Sequence, residues 1–123
     1  MNRYVQIGAV AAMLSVAIGA FGAHALEDKL SAHYMDVFET GVQYHMAHAL
    51  GILLVGLLMD RLASSKLAIW AGRLLTAGIV LFSGSLYVLA LTEVKVLGAI
   101  TPLGGVAFIA GWVCLALAAR SKG

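Results

Sequence analysis

Two histidines three residues apart, His45 and His48, share one face of any helix that carries them. A third, His24, closes a separate apolar run upstream. Neutral imidazole ligates zinc, copper and haem iron, so His24, His45 and His48 are the candidate metal ligands, and haem or a transition metal the candidate cofactor. The same rings could relay protons, because histidine titrates near neutral pH. The usual companions of a metal centre are missing: there is no cysteine pair and no His-Glu-x-x-His run. Glu39 is half a turn out of phase with His48 and is not an obvious fourth ligand. Tyr44, Ser83, Ser85, Tyr87 and Thr101 add hydroxyls, and Gly104 and Gly105 would let a backbone or ligand come close. With the three histidines they make up the candidate polar site. The plainer reading is that each histidine caps a helix end, meets interfacial water or hydrogen-bonds Tyr87 or a serine. No P-loop, dinucleotide turn, nucleophile with an oriented base, or carboxylate pair inside an apolar run occurs. The expectation is therefore a non-enzyme without catalytic residues and without a required cofactor.

The elements that must position these groups follow from composition. The chain has 123 residues, 62% of them hydrophobic and 11% charged, with 14 glycines. A soluble domain carries about 25% charge, and one this small has too much surface to hide so much apolar area. A net charge of +2 is too small for a nucleic-acid partner, and one cysteine forms no internal disulfide. A small integral membrane protein remains, with the lipid bilayer as its first partner. Four stretches are apolar for about the 20 residues a membrane helix needs: about 4–26, 40–59, 74–92 and 96–119. The fold class is all-α, a four-transmembrane-helix bundle in one domain, residues 1–123.

Residues 27–39 are too polar to span. Leu30, Tyr34, Val37 and Phe38 fall on one helical face, which predicts a short amphipathic helix on the outer surface. Arg3, Arg61, Lys66, Arg73, Arg120 and Lys122 lie on the side of the termini, against Lys29 and Lys95 opposite. The positive-inside rule then places both termini in the cytoplasm. Asn2-Arg3 followed by an apolar run and Ala23-His24-Ala25 imitates a signal peptide, but the run exceeds the usual length of one; the segment is expected to stay. With this orientation His24, Tyr44, His45, His48, Ser83, Ser85, Tyr87 and Thr101 all fall in the outer half.

Each span pairs a stripe of small residues with a bulky one. Gly8, Ala11, Ala12, Ser15, Gly19, Gly22 and Ala23 oppose Ile7, Val10, Leu14, Ile18 and Phe21. Gly41, Tyr44, His45, His48 and Gly51 oppose Met46, Leu50, Leu53, Leu54 and Leu57. Gly72, Thr76, Ser83, Gly84 and Tyr87 oppose Leu75, Ile79, Phe82, Leu86 and Leu89. Gly104, Ala107, Gly111, Cys114 and Ala118 share a face of the last span. Lipid is as apolar as leucine, so helices associate through small residues. Small stripes should face the bundle and bulky ones lipid, and leftover Gly/Ala faces predict a homo-oligomer or a membrane-protein partner. Thr101-Pro102 reads as a helix start, with Thr101 as N-cap and Pro102 in the first turn.

The runs Gly19-Ala20-Phe21-Gly22-Ala23-His24, Tyr44-His45-Met46-Ala47-His48-Ala49-Leu50, Phe82-Ser83-Gly84-Ser85-Leu86-Tyr87, Ile100-Thr101-Pro102-Leu103-Gly104-Gly105 and Gly111-Trp112 occur in that order. Together they resemble the YwdK/YgdD-like family of small bacterial inner-membrane proteins, which has eukaryotic transmembrane relatives. The resemblance covers nearly the whole chain. It implies a four-span protein of the cytoplasmic membrane, kept without signal cleavage, and brings no activity, since the family's function is unknown. It marks His24, His48, Ser83, Tyr87, Thr101, Pro102, Gly104 and Gly105 as motif positions, whereas His45 stands where the family is expected to carry glutamine. Three readings of function follow, in order. The first is a non-enzymatic oligomeric or partner-stabilising bundle. The second is a ligand-, ion- or proton-binding or transport unit with its polar site in the outer half. The third is a haem- or quinone-associated redox subunit using His24 and His48.

Overall fold

Serines open two of the long helices. Ser31 accepts the Tyr34 N–H and Ser64 the Leu67 N–H, each covering a donor that a helix start leaves free. A computed structural model describes residues 3–120. It contains four helices long and apolar enough to cross a membrane: α1 (Arg3–Leu26), α2 (Ala32–Leu58), α3 (Ser65–Thr92) and α4 (Thr101–Ala118). No strand occurs among the described residues. The all-α, four-span architecture expected from the charge gaps is the one observed.

Consecutive helices run antiparallel. Along α1 and α2, Gly8 lies on Leu53, Ser15 on Met46, Gly19 on Val42 and Gly22 on Phe38. Along α3 and α4, Gly78 lies on Phe108 and the Phe82 backbone on Gly104. Helix α3 is central, packing on both α2 and α4. Helix α1 packs on α2 along its length but reaches α3 mainly through Tyr4, whose ring covers Gly72 and whose hydroxyl donates to the Ile69 carbonyl at 3.0 Å.

The polar segment 27–39 differs from the expectation. Residues 32–39 form no helix of their own but are the opening turns of α2, which is continuous for 27 residues. No proline interrupts it, and Gly41 lies within the helix, with the Tyr87 ring packed where its side chain would be. At 1.5 Å per residue, α2 is about 40 Å long against a hydrocarbon core of about 30 Å, so its first turns project. Helix α3 likewise begins earlier than the span, at Ser65, and carries Lys66 and Arg73 on its first turns. Helix α4 begins at Thr101 with Pro102 in its first turn, after a 3-10 stretch Lys95–Ala99. Thr101 is not its N-cap, however; Ile100 holds that position.

The small stripes of α1, α2 and α4 do face neighbouring helices, and Val10, Leu14, Phe21, Leu50, Leu54 and Leu57 are exposed on the outside. On α2 the division is incomplete, because Met46 and Leu53 of its bulky stripe pack on α1, and on α3 it fails. Leu75 is fully buried, seated between Gly51 of α2 and Gly111 of α4. A leucine is favoured there because two glycines leave matching notches, and dispersion contacts on both sides replace those lipid would give. Leu86 is buried as well.

Both α1 and α3 contain a wide π-helical turn, at Ala17–Gly22 and Ile79–Ser83. The second brings the Phe82 backbone onto Gly104, where any Cβ would collide with the Phe82 nitrogen and lie 2.7 Å from its Cα. Backbone at that range cannot yield as a flexible side chain could. Gly104→Leu should therefore cost about 3 kcal/mol, the upper range for overpacking. Gly105→Ala, whose Cβ would meet only the Phe82 ring edge at 4.0 Å, should be near neutral. Thermal unfolding in detergent followed by circular dichroism separates the two; equal midpoints would contradict the close approach.

Candidate functional site

The polar side chains of α2, α3 and α4 meet between the helices. Ser83 donates to the Gly41 carbonyl at 2.8 Å, joining α3 to α2. His45 Nδ1 and the Tyr87 hydroxyl lie 2.8 Å apart, a second bond between the same helices. Ser85 and Thr101 share a hydroxyl–hydroxyl bond of 2.6 Å between α3 and α4. The Thr101 side chain is thus used across the bundle and not on its own helix end. Ser15 of α1 donates to the Ala12 carbonyl and lies 3.4 Å from the Met46 sulfur.

His48 is buried, with partners on both of its ring nitrogens. Trp112 of α4 donates its Nε1–H to His48 Nε2 at 3.0 Å. An indole nitrogen can only donate, so Nε2 is the acceptor and the proton sits on Nδ1. That Nδ1–H donates to the Tyr44 carbonyl one turn back, at 2.8 Å. The ring also stacks on Phe108, with centroids 3.5 Å apart, while Tyr44 packs on Phe82. Both nitrogens of His48 are therefore engaged in the neutral form, and neither is left to ligate a metal.

The three candidate ligands do not converge. His24 is exposed at the far end of α1, with its Nδ1 4.0 Å from Glu27. His45 faces Tyr87 on one side and the Ala11 carbonyl on the other. Among the described residues no three of His, Cys, Asp or Glu are grouped to hold a metal ion. The expectation of a His24, His45, His48 centre is corrected accordingly: the helix that carries His24 ends outside the packed interior. His48, nearly midway between Thr40 and Met59, also extends the cluster from the end of the bundle opposite the termini to mid-depth. Gly104 serves the close approach of Phe82, and Gly105 faces open space up to 4.0 Å.

Sequence reasoning passed over Trp112 and Phe108 as partners. Their signal is spacing: four apart, they occupy one face of α4, and the adjacent Gly104 and Gly111 mark that face as inward.

The residues 18–105 match a family described as "Protein of unknown function (DUF423)". The chain belongs to this family. It is 54% identical over 119 residues to the UPF0382 membrane protein YwdK of Bacillus subtilis (strain 168), covering 97% of each chain. A UPF0382 membrane protein of Staphylococcus epidermidis (strain ATCC 12228 / FDA PCI 1200) is 54% identical over 118 residues, with 96% of this chain and 95% of the relative covered. No solved structure matches the chain. The family resemblance stated from the motifs is thereby shown, and with it a bacterial membrane-protein kinship of unknown function.

The geometry predicts an energetic link between α2 and α4. In a double-mutant cycle, His48→Ala and Trp112→Phe should show a coupling between about 0.6 and 1.7 kcal/mol, the range for side-chain hydrogen bonds between membrane helices. Unfolding in mixed micelles provides the measurement. Strictly additive losses would contradict the bond.

Proposed function

We propose that the protein is a non-enzymatic bundle that acts through association, with further copies of itself or with a membrane-protein partner. One observation carries this reading: among the described residues every buried side-chain nitrogen or oxygen has a hydrogen-bond partner inside the chain. A site that awaits a substrate or ion commonly leaves polar groups to be satisfied by it. Here the candidate residues Ser83, Ser85, Tyr87, His48 and Thr101 are used to join helices. The redox reading loses its pair of ligands, because His48 has no free nitrogen and His24 stands apart.

Association has surface to work with. Most of the glycines are filled by neighbours within the chain, but Gly84 and Gly98 have nothing within 4 Å of a built side chain. They are the small residues left for another helix to approach. Large apolar side chains such as Val106 and Ile109 are exposed on the exterior of the bundle.

The positive-inside distribution supports termini in the cytoplasm of a bacterial cell whose inner membrane holds the protein. In a Cys114→Ala background, Lys29→Cys should react with a membrane-impermeant maleimide in intact cells and Lys66→Cys only after lysis. The reverse pattern would invert the topology. For association, copies labelled at Lys29→Cys and reconstituted in lipid should show energy transfer that rises with protein-to-lipid ratio. Gly84→Leu should weaken that self-association about tenfold, about 1.4 kcal/mol. Transfer at the random-encounter level, with no protein retained alongside the chain on purification, would sink the proposal.

A further inference from the structure

Because α1 touches α3 chiefly at Tyr4, the two helices leave a groove between them. Its apolar part, about 450 Å³, is walled by Ile7, Val10 and Leu14 of α1 and Ile79 and Val80 of α3. His45 lies at its inner end. Toward the termini the same cleft continues past Ile7 and Thr76 into a space of about 370 Å³ lined by Arg3 and Arg73. Among the described residues neither guanidinium is paired with a carboxylate. Arg73 instead lies over the Trp70 ring, 5.2 Å from its centroid. Trp70 and Tyr4 beside two arginines mark this level as the headgroup region, since aromatic rings and basic side chains collect there.

The geometry points to a binding site for one anionic phospholipid: its phosphate between Arg3 and Arg73, its acyl chain along the groove toward His45. A guanidinium pair suits a phosphate, which accepts two hydrogen bonds from each planar fork. The walls below offer an acyl chain dispersion contacts on two sides. A second copy of the chain fits the charges poorly. Five of the six acids, Glu27, Asp28, Asp36, Glu39 and Glu93, lie at the opposite end of the bundle, and copies sharing a membrane share its orientation. A neighbour would bring arginines to arginines. The site goes beyond the association role proposed above and does not depend on it. With the termini inside, the lipid belongs to the inner leaflet.

Native mass spectrometry of the full chain, released from nanodiscs of equimolar phosphatidylglycerol and phosphatidylcholine, tests this. A basic side chain at a membrane surface is worth about 1 kcal/mol toward anionic lipid, so two should favour retained phosphatidylglycerol on the order of 30-fold. Arg3→Gln and Arg73→Gln should each lower that preference about fivefold, and the double variant bring it near unity. The single variants decide the matter should the double one fail to fold. Arg61→Gln with Lys66→Gln, away from the cleft, should change nothing. Val80→Trp should lower the retention of both lipids by filling the groove while leaving their ratio. Four results would overturn the proposal: no preference in the unaltered protein, a preference untouched by either arginine variant, displacement of the lipid by inorganic phosphate alone, or a lipid-free dimer that cross-links across Val10 and Val80.

Discussion

Hydrocarbon offers no hydrogen-bond partner, so a polar side chain inside a membrane span must find one on its own helix or on a neighbouring one. The arrangement of this bundle follows from that constraint. Ser83, His45, Ser85 and the His48–Trp112 pair each tie one helix to another. Taken singly such bonds are worth little, because the separated helices also find partners in a bilayer. Their larger effect is on register. Ser85 can meet Thr101, and Trp112 reach His48, in one axial alignment of α3, α2 and α4 only.

Close packing and hydrogen bonding support each other here. The Ser83 hydroxyl can reach the Gly41 carbonyl because no side chain at position 41 intervenes and Tyr87 packs over that spot. Tyr87 is thereby held against both Phe38 and His45. Helix α1 takes less part in this network and is held on α2 largely through its small residues, with Tyr4 and Ile7 packed on the core. Because it packs on α2 and reaches α3 mainly through Tyr4, a cleft remains between α1 and α3, apolar at Ile7, Val10 and Leu14 and basic at its mouth with Arg3 and Arg73.

Much of the fold was legible in the sequence. Gaps between charges located four spans, and the stripe of Gly8, Ser15, Gly19 and Gly22 marked the side of α1 that faces the bundle, where the structure places α2. The failures have physical causes. The polar segment 27–39 suggested a separate surface helix, yet a helix entering water needs no break, and α2 already begins at Ala32 and takes in residues 32–39. Leu75 read as lipid-facing because a leucine carries no sign of which neighbour will offer it a notch; Gly51 and Gly111 lie far from it in sequence. Most of the polar residues singled out on α2, α3 and α4 lie at contacts between helices. Their types alone did not separate a ligand site from a set of helix ties, since that depends on which partner each one reaches. For His48 the partner is an indole, and no local pattern around His48 encodes it.

The wide turn at Ile79–Ser83 has a consequence for how α3 is read as a pattern. A π turn closes its bond one residue later than an α turn. It therefore rotates everything beyond it by about 100° relative to an unbroken helix, one residue's share of a 3.6-residue turn. Residues 65–78 and 84–92 belong to two different helical wheels. Before the turn, α3 directs Leu75 and Gly78 to its neighbours; beyond it, Ser85 and Tyr87 reach α4 and α2. The turn works as a single-residue phase shifter, letting one continuous span aim two separately phased sets of side chains. The length of this segment, more than the identity of any residue within it, keeps the two sets aligned.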